Sequence, residues 1–218
     1  MANRESNQVE VFTPTGAALL IFGSVGTARG QFHFPQGIAF DPTDGTLLVD
    51  DSGNARIERF TISPGDTNAT WIATYGRKGA ASPKAPAGVL NQPTGIAVAP
   101  NGTIWVADTR DNRIQSLSTT GVWTAITKPV ASTGQKSFNA PWGVTVAPDG
   151  SIWVCDTGNN RIVSMDASGN LIFSANAASM GVPATPGTSA IFPFAVAFSG
   201  TTAFVSDIWN NRVLALTS

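Results

Sequence analysis

Phe34 opens the run FPQGIAFDPTDGTLLVDDSGNARIERF, and its pattern returns as QPTGIAVAPNGTIWVADTRDNRIQSL from Gln92, APWGVTVAPDGSIWVCDTGNNRIVSM from Ala140 and FPFAVAFSGTTAFVSDIWNNRVLAL from Phe192. The anchoring prolines are Pro35, Pro93, Pro141 and Pro193, so the period is 58, 48 and 52 residues. A period of that length signals a propeller, solenoid or array. Inside each copy the signals are those of strands. Gly95-Ile96-Ala97-Val98 is short, apolar and bounded by prolines, and Asn101-Gly102 and Asp149-Gly150 each sit between two apolar runs, the strongest short hairpin signal. Asp44-Gly45 does the same in the first copy. The second run ends at an aspartate, a polar turn follows, and a third strand starts at an arginine, as over 113–117. Weaker fourth strands follow at 71–75, 122–126 and 171–174. Four antiparallel strands per repeat make one propeller blade. No segment has helical periodicity.

The fold expected is all-β: a β-propeller of four-stranded antiparallel blades, with four full repeats and an N-terminal half blade, in a single domain over 1–218. Repeat cores fall at about 34–75, 92–126, 140–174 and 192–217. Before them, 8–12 aligns with a third strand and 18–22 with a fourth, so the strands of 8–22 are expected to close the ring on the last blade. A compact four-bladed ring, a truncated larger propeller and a ring built between copies through open blade edges all fit this count. The linkers 23–32, 76–90, 128–138 and 175–191 are rich in Gly, Ala, Ser, Thr and Pro and read as surface loops. Two of them are long enough to be functional or mobile.

The pattern P-x-G-[IV]-[AT]-[FV], then a D-G or N-G turn, then V-x-D-[ST]-x-[ND]-[NA]-R-I, resembles the NHL repeat over nearly the whole chain. The last copy departs from it: Ala195 stands at the glycine and Ser199-Gly200 replaces the D-G turn. The resemblance implies a propeller, most often six-bladed, in which interaction roles are commoner than enzymatic ones.

Composition narrows the function classes. Charged residues are 12% of the chain, 13 basic against 14 acidic, and only Arg77-Lys78 are adjacent bases. A phosphate-binding face needs a basic cluster, so neither nucleic acid nor an anionic membrane is an expected partner. The first twelve residues hold no apolar run long enough for a signal peptide or a span, so the chain reads as soluble, with its compartment open. A single cysteine, Cys155, allows no internal disulfide.

Several recurring residues look chemical and read better as structural. Asp51, Asp108, Asp156 and Asp207 are each followed five positions later by Arg56, Arg113, Arg161 and Arg212. A carboxylate ending one strand meets a guanidinium starting the next across the turn, so each pair is expected to staple its blade, not to hold a metal. Leu48, Trp105, Trp153 and Phe204 lie three positions before that aspartate and are expected to pack between blades. Cys155 fills a slot of small residues and is expected to be buried and inert. Asp50 is the odd member of the same slot, an added carboxylate where Ala107, Cys155 and Ser206 stand elsewhere.

The innermost strands, around Gly37, Gly95, Gly143 and Ala195, carry no Asp, Glu, His, Asn or Lys, and the single histidine, His33, lies outside the blade cores. No catalytic residue, metal ligand or cofactor is expected from this pattern. Positions that vary between copies on one face are Gln36, Thr94, Trp142 and Phe194 before the glycine slot, and Arg110 and Trp209 after the aspartate. Exposed aromatics beside an arginine have the composition of a recognition hot spot. The function expected is thus a non-enzymatic platform binding a protein, peptide or small ligand there. The alternative is a small lactonase-like propeller hydrolase or lyase with a divalent metal, such as calcium, in the channel.

Overall fold

The computed structural model describes residues 1–63, 68–80, 82–128, 137–180 and 191–216. The expected loop readings over 129–136 and 181–190 lie outside the described residues. The repeats form all-antiparallel sheets. The first repeat comprises strands Ile38–Asp41, Thr46–Asp51, Arg56–Thr61 and Thr70–Tyr75, each bonded to the next. The second comprises Gly95–Val98, Ile104–Asp108, Arg113–Leu117 and Trp123–Ile126, and the third Val144–Val146, Ile152–Asp156, Arg161–Met165 and Leu171–Asn176. The fourth has three strands among the described residues, Pro193–Ser199, Thr202–Asp207 and Arg212–Leu216. A separate sheet of Ala2–Asn3, Gln8–Phe12 and Ala18–Phe22 precedes them. The arrangement is that of propeller blades, five small sheets side by side.

Two expectations need correction. The blades are not uniformly four-stranded, since the fourth lacks an outer strand among the described residues. The strands of 8–22 do not bond to that blade either. They stay in their own sheet and pack on the first blade, where Val9 and Phe22 join Phe32, Val49 and Phe60. The reason is local: an aromatic cluster of Phe22, Phe32 and Phe60, with centroids 5.1–6.2 Å apart, ties this sheet to its sequence neighbour. Ala2–Asn3 adds a strand that the pattern did not reveal. Its pairings Ala2↔Val9 and Asn3↔Gln8 match Ala107↔Ile114 and Asp108↔Arg113, so it holds the place of the end of a second strand.

Between blades the core is built as the recurring apolar slots require. Leu48 shares a cluster with Ile96, Ile104 and Val106 of the next blade, and Trp105 shares one with Val144, Ile152 and Val154. Leu48 and Trp105 are 0% and 2% exposed, whereas Phe204 in the same slot of the last blade is 40% exposed, because no described blade follows it.

The glycine of P-x-G has a steric cause. A Cβ on Gly37 would stand 2.8 Å from the Thr94 carbonyl oxygen, one on Gly95 2.5 Å from that of Trp142, and one on Gly143 2.5 Å from that of Phe194. The innermost strands therefore approach so closely that only hydrogen fits. Ala195, which breaks the pattern, is exposed, and no described innermost strand packs against it.

Each turn from second to third strand is one turn of 3-10 helix, at Ser52–Asn54, Thr109–Asp111, Thr157–Asn159 and Ile208–Asn210, an element the absence of helical periodicity could not announce. Each ends on a left-handed residue, Ala55, Asn112, Asn160 or Asn211, which explains the recurring asparagine. In the linker before the second blade, Arg77–Lys78 and Val89–Leu90 pair as two short parallel strands, also unforeseen.

Gly143→Ala is expected to destabilise the protein by about 1–3 kcal/mol in urea unfolding, since overpacking against backbone has no flexible group to displace. Ala195→Gly should change stability by less than about 1 kcal/mol. Equal effects at both sites would refute the close-approach account.

Candidate functional site

The four aspartate–arginine pairs are all formed, with Nε to Oδ2 distances of 2.8 Å for Arg56–Asp51 and Arg113–Asp108, 2.6 Å for Arg161–Asp156 and 2.8 Å for Arg212–Asp207. The second carboxylate oxygen does something the spacing alone does not disclose. It accepts the amide of the residue that leads into the same blade: His33 to Asp51, Asn91 to Asp108, Asn139 to Asp156 and Phe192 to Asp207, at 2.6–2.9 Å. The arginine extends the clamp. Arg56 donates to the carbonyls of Thr27, Ala28 and Gln31, and Arg113 to those of Ala85 and Val89. Each pair thus pins the incoming linker to its own blade.

Burial sets the electrostatics of these acids. Asp108 is pushed above the usual carboxylate range because desolvation outweighs its bonds to Asn91, Arg113 and Gln115. For Asp207, in the shallower last blade, burial also raises the pKa, but the bonds from Phe192, Arg212 and Asn210 prevail and hold it below that range. The arginine side chains show the same gradient, 1% exposed at Arg113 and 26% at Arg212.

Asp50 is fully buried, and its Oδ1 has no hydrogen-bond partner among the described residues. Its Oδ2 accepts from Ser52 at 3.2 Å. Burial drives its pKa well up, opposed by the Ser52 bond and reinforced by the nearby charge of Asp51. Cys155 is buried, and burial raises its pKa as well, which fits an unreactive thiol.

The candidate site is the mouth of the channel, a cavity of about 350 Å³ where the innermost strands meet. Gln36, Thr94, Trp142 and Phe194 all line it, together with Arg4 of the N-terminal sheet. The rings of Trp142 and Phe194 lie 4.8 Å apart, tilted by 31°. Thr94 has a positioning role: its hydroxyl donates to the Trp142 carbonyl at 2.8 Å, and beside it the Thr109 hydroxyl donates to the Pro141 carbonyl at 2.8 Å. The backbone under the Trp142 ring is thereby locked to the preceding blade. Ala140, two residues ahead of Trp142, takes a left-handed φ of 42°, held by its amide bond to Asn112.

Two expected members fall elsewhere. Trp209 is 70% exposed and stacks on Phe192 at 4.4 Å and 15°, apart from the Trp142 pair. Arg110 is exposed and does not line the mouth. Arg4 was missed because the residues before 8 gave no repeat signal; only the pairing of Ala2–Asn3 brings it to the rim. Among the described residues that line the mouth, Arg4 is the one ionisable side chain. No group of three or more His, Cys, Asp or Glu side chains able to hold a metal occurs among the described residues.

These features define a small β-propeller with an aromatic-lined channel mouth. The NHL repeat model matches residues 90–116 and 138–164, so the second and third blades of this propeller carry NHL repeats. No curated relative matches it. Solved structures of the same fold include a catalytically inactive virginiamycin B lyase from Staphylococcus aureus with quinupristin, at 19% identity and a TM-score of 0.66 over 99% of this chain and 61% of that one. A protein of unknown function from Bacteroides thetaiotaomicron aligns at 15% identity and a TM-score of 0.67 over 96% of this chain and 53% of that one. Hydrazine synthase of Kuenenia stuttgartiensis aligns at 17% identity and a TM-score of 0.55, over 87% of this chain and 50% of that one. This chain therefore spans half to about 60% of the length of these neighbours.

Two outcomes follow from the charges. Arg113→Ala should cost about 3–5 kcal/mol, because it strands a buried carboxylate. Arg212→Ala should cost clearly less, and denaturant unfolding of both variants checks the order. Asp50→Ala should stabilise the protein by about 1–3 kcal/mol at neutral pH, since it removes an acceptor left unpaired. The folded-state pKa of Asp50 lies above the unfolded one. Its destabilising effect is thus absent below the unfolded pKa, near 3.9, and grows as pH rises toward the folded value. The advantage of Asp50→Ala should shrink at acidic pH; a constant advantage would rule out this cause.

Proposed function

We propose that the protein is a non-enzymatic propeller platform that binds a protein, peptide or small ligand at the channel mouth. The observation that carries this reading is the half-exposed Trp142–Phe194 pair, set on strands too closely packed to shift. A rigid aromatic pair gives a large contact area with little ordering entropy lost on binding. Gln36 and Arg4 supply polar contacts at the rim.

The fold likeness to a virginiamycin B lyase favours a second reading, a lyase-like propeller. That enzyme loses activity when a histidine is replaced by alanine. In this chain His33 is the single histidine; it is exposed, packs 4.4 Å from the Phe34 ring and bonds Asp51 through its amide. It does not line the mouth.

Screening small aromatic fragments and short peptides by nitrogen-edited NMR should shift the Trp142 indole signal. Trp142→Ala should weaken every such ligand by about tenfold or more. Ligands unaffected by Trp142→Ala would refute the platform at this site. Incubation with quinupristin should leave it intact; breakdown that vanishes in His33→Ala would establish the lyase reading instead.

A further inference from the structure

At the end of the blades remote from the mouth, a cavity lies between the hairpin turns of neighbouring blades. The three junctions between the four repeats differ there. At the first, Arg59 stands in the slot of Ser116, held by Asp41 and Asp44, and about 190 Å³ remains. At the third, Phe173 and Phe198 pack on Trp153 with ring centroids 5.7 and 5.2 Å away, and about 160 Å³ remains. At the second, Trp105 holds the slot of Trp153, but Thr124 and Val146 hold those of Phe173 and Phe198. The cavity there is about 360 Å³, with Ala99, Pro100, Thr103, Trp105, Ser116 and Ile152 in its walls. Both blades around it are four-stranded.

The polar groups differ in the same way. The Trp153 indole N–H donates to the Ser151 hydroxyl at 3.0 Å. Thr103 stands in the slot of Ser151, yet neither its hydroxyl nor the Trp105 N–H meets a partner among the described residues. Trp105 is 2% exposed, and a buried indole N–H usually has an acceptor. We propose that this cavity binds a small neutral ligand whose carbonyl accepts from Trp105 Nε1 and whose apolar body lies against Pro100 and Ile152. The volume is that of a small-ligand site, which runs about 300–1,000 Å³. An indole N–H only donates, so it calls for an acceptor, and the Thr103 and Ser116 hydroxyls can take a second polar group. Among the described residues no ionisable side chain lines the cavity, so an ionised ligand would lose its hydration with no counter-charge in return. The site is separate from the channel mouth and does not depend on the function proposed there.

The probe is acetanilide, a neutral ring bearing an amide carbonyl, followed by nitrogen-edited NMR of the whole chain. Saturable binding should move the Trp105 indole signal, and Trp142→Ala should leave that shift unchanged, which separates this site from the mouth. Toluene, which lacks the acceptor, and benzoate, which is ionised, should each bind about threefold or more weaker. Trp105→Phe should weaken acetanilide by about three- to tenfold, the worth of one neutral hydrogen bond, and leave toluene unchanged. Val146→Phe and, at an exposed position, Thr124→Phe each copy the third junction. Each should weaken acetanilide by about tenfold or more without lowering Tm, because the added ring fills the cavity. A Trp105 signal that stays fixed up to the solubility limit of acetanilide, toluene or benzoate binding as tightly as acetanilide, or binding that survives both filling variants would each overturn the proposal.

Discussion

The structure depends on one repeated constraint, a buried aspartate that serves two masters. One oxygen of Asp51, Asp108, Asp156 or Asp207 takes the arginine at the start of the third strand. The other takes the amide of the chain entering the blade. A buried ion pair by itself adds little net stability, because desolvation offsets the attraction. Here it fixes geometry: it sets where the linker arrives, and so where the proline, the glycine and the innermost strand begin. Glu58 and Gln115, in one slot of the third strand, extend the same logic by accepting the linker amides of Gly30 and Gly88.

That geometry produces the close approach of innermost strands, and the close approach produces the mouth. With hydrogen as the only tolerated side chain at Gly37, Gly95 and Gly143, neighbouring residues are pushed toward the rim. The Trp142 backbone is held there by the Thr94 hydroxyl and that of Pro141 by the Thr109 hydroxyl, which join the adjacent second and third blades. Function at the mouth therefore rests on side chains carried by a frame that the ion pairs have already set. The bare faces of Ile38 and Phe40 and of Phe204 and Val213 carry the repeat's interior pattern on an exterior surface.

Most of the fold was legible in the sequence because the repeat supplied its own internal comparison. Prolines, turn dipeptides and the five-residue aspartate–arginine spacing recur, and residues that recur in register hold blades together. Thr94 was read as a binding position since it varies between copies, yet its hydroxyl is spent on the Trp142 carbonyl. Variation in a repeat marks freedom from the common scaffold, and that freedom serves packing as readily as recognition. Trp209 shows the same limit: its place after the aspartate is shared with Arg110, but the ring turns to Phe192.

By itself the sequence determined the class of fold, the recurring blade strands, the stapling pairs and the packing slots of Leu48 and Trp105, because each follows from local pattern and its repetition. Only the tertiary structure decided that the N-terminal strands stay with the first blade, since that choice rests on the aromatic contacts of Phe22, Phe32 and Phe60 across linkers of no fixed pattern. It also brought Arg4 to the mouth and left a cavity beside Trp105. Such juxtapositions depend on distances between segments remote in sequence, and no spacing along a single chain encodes them.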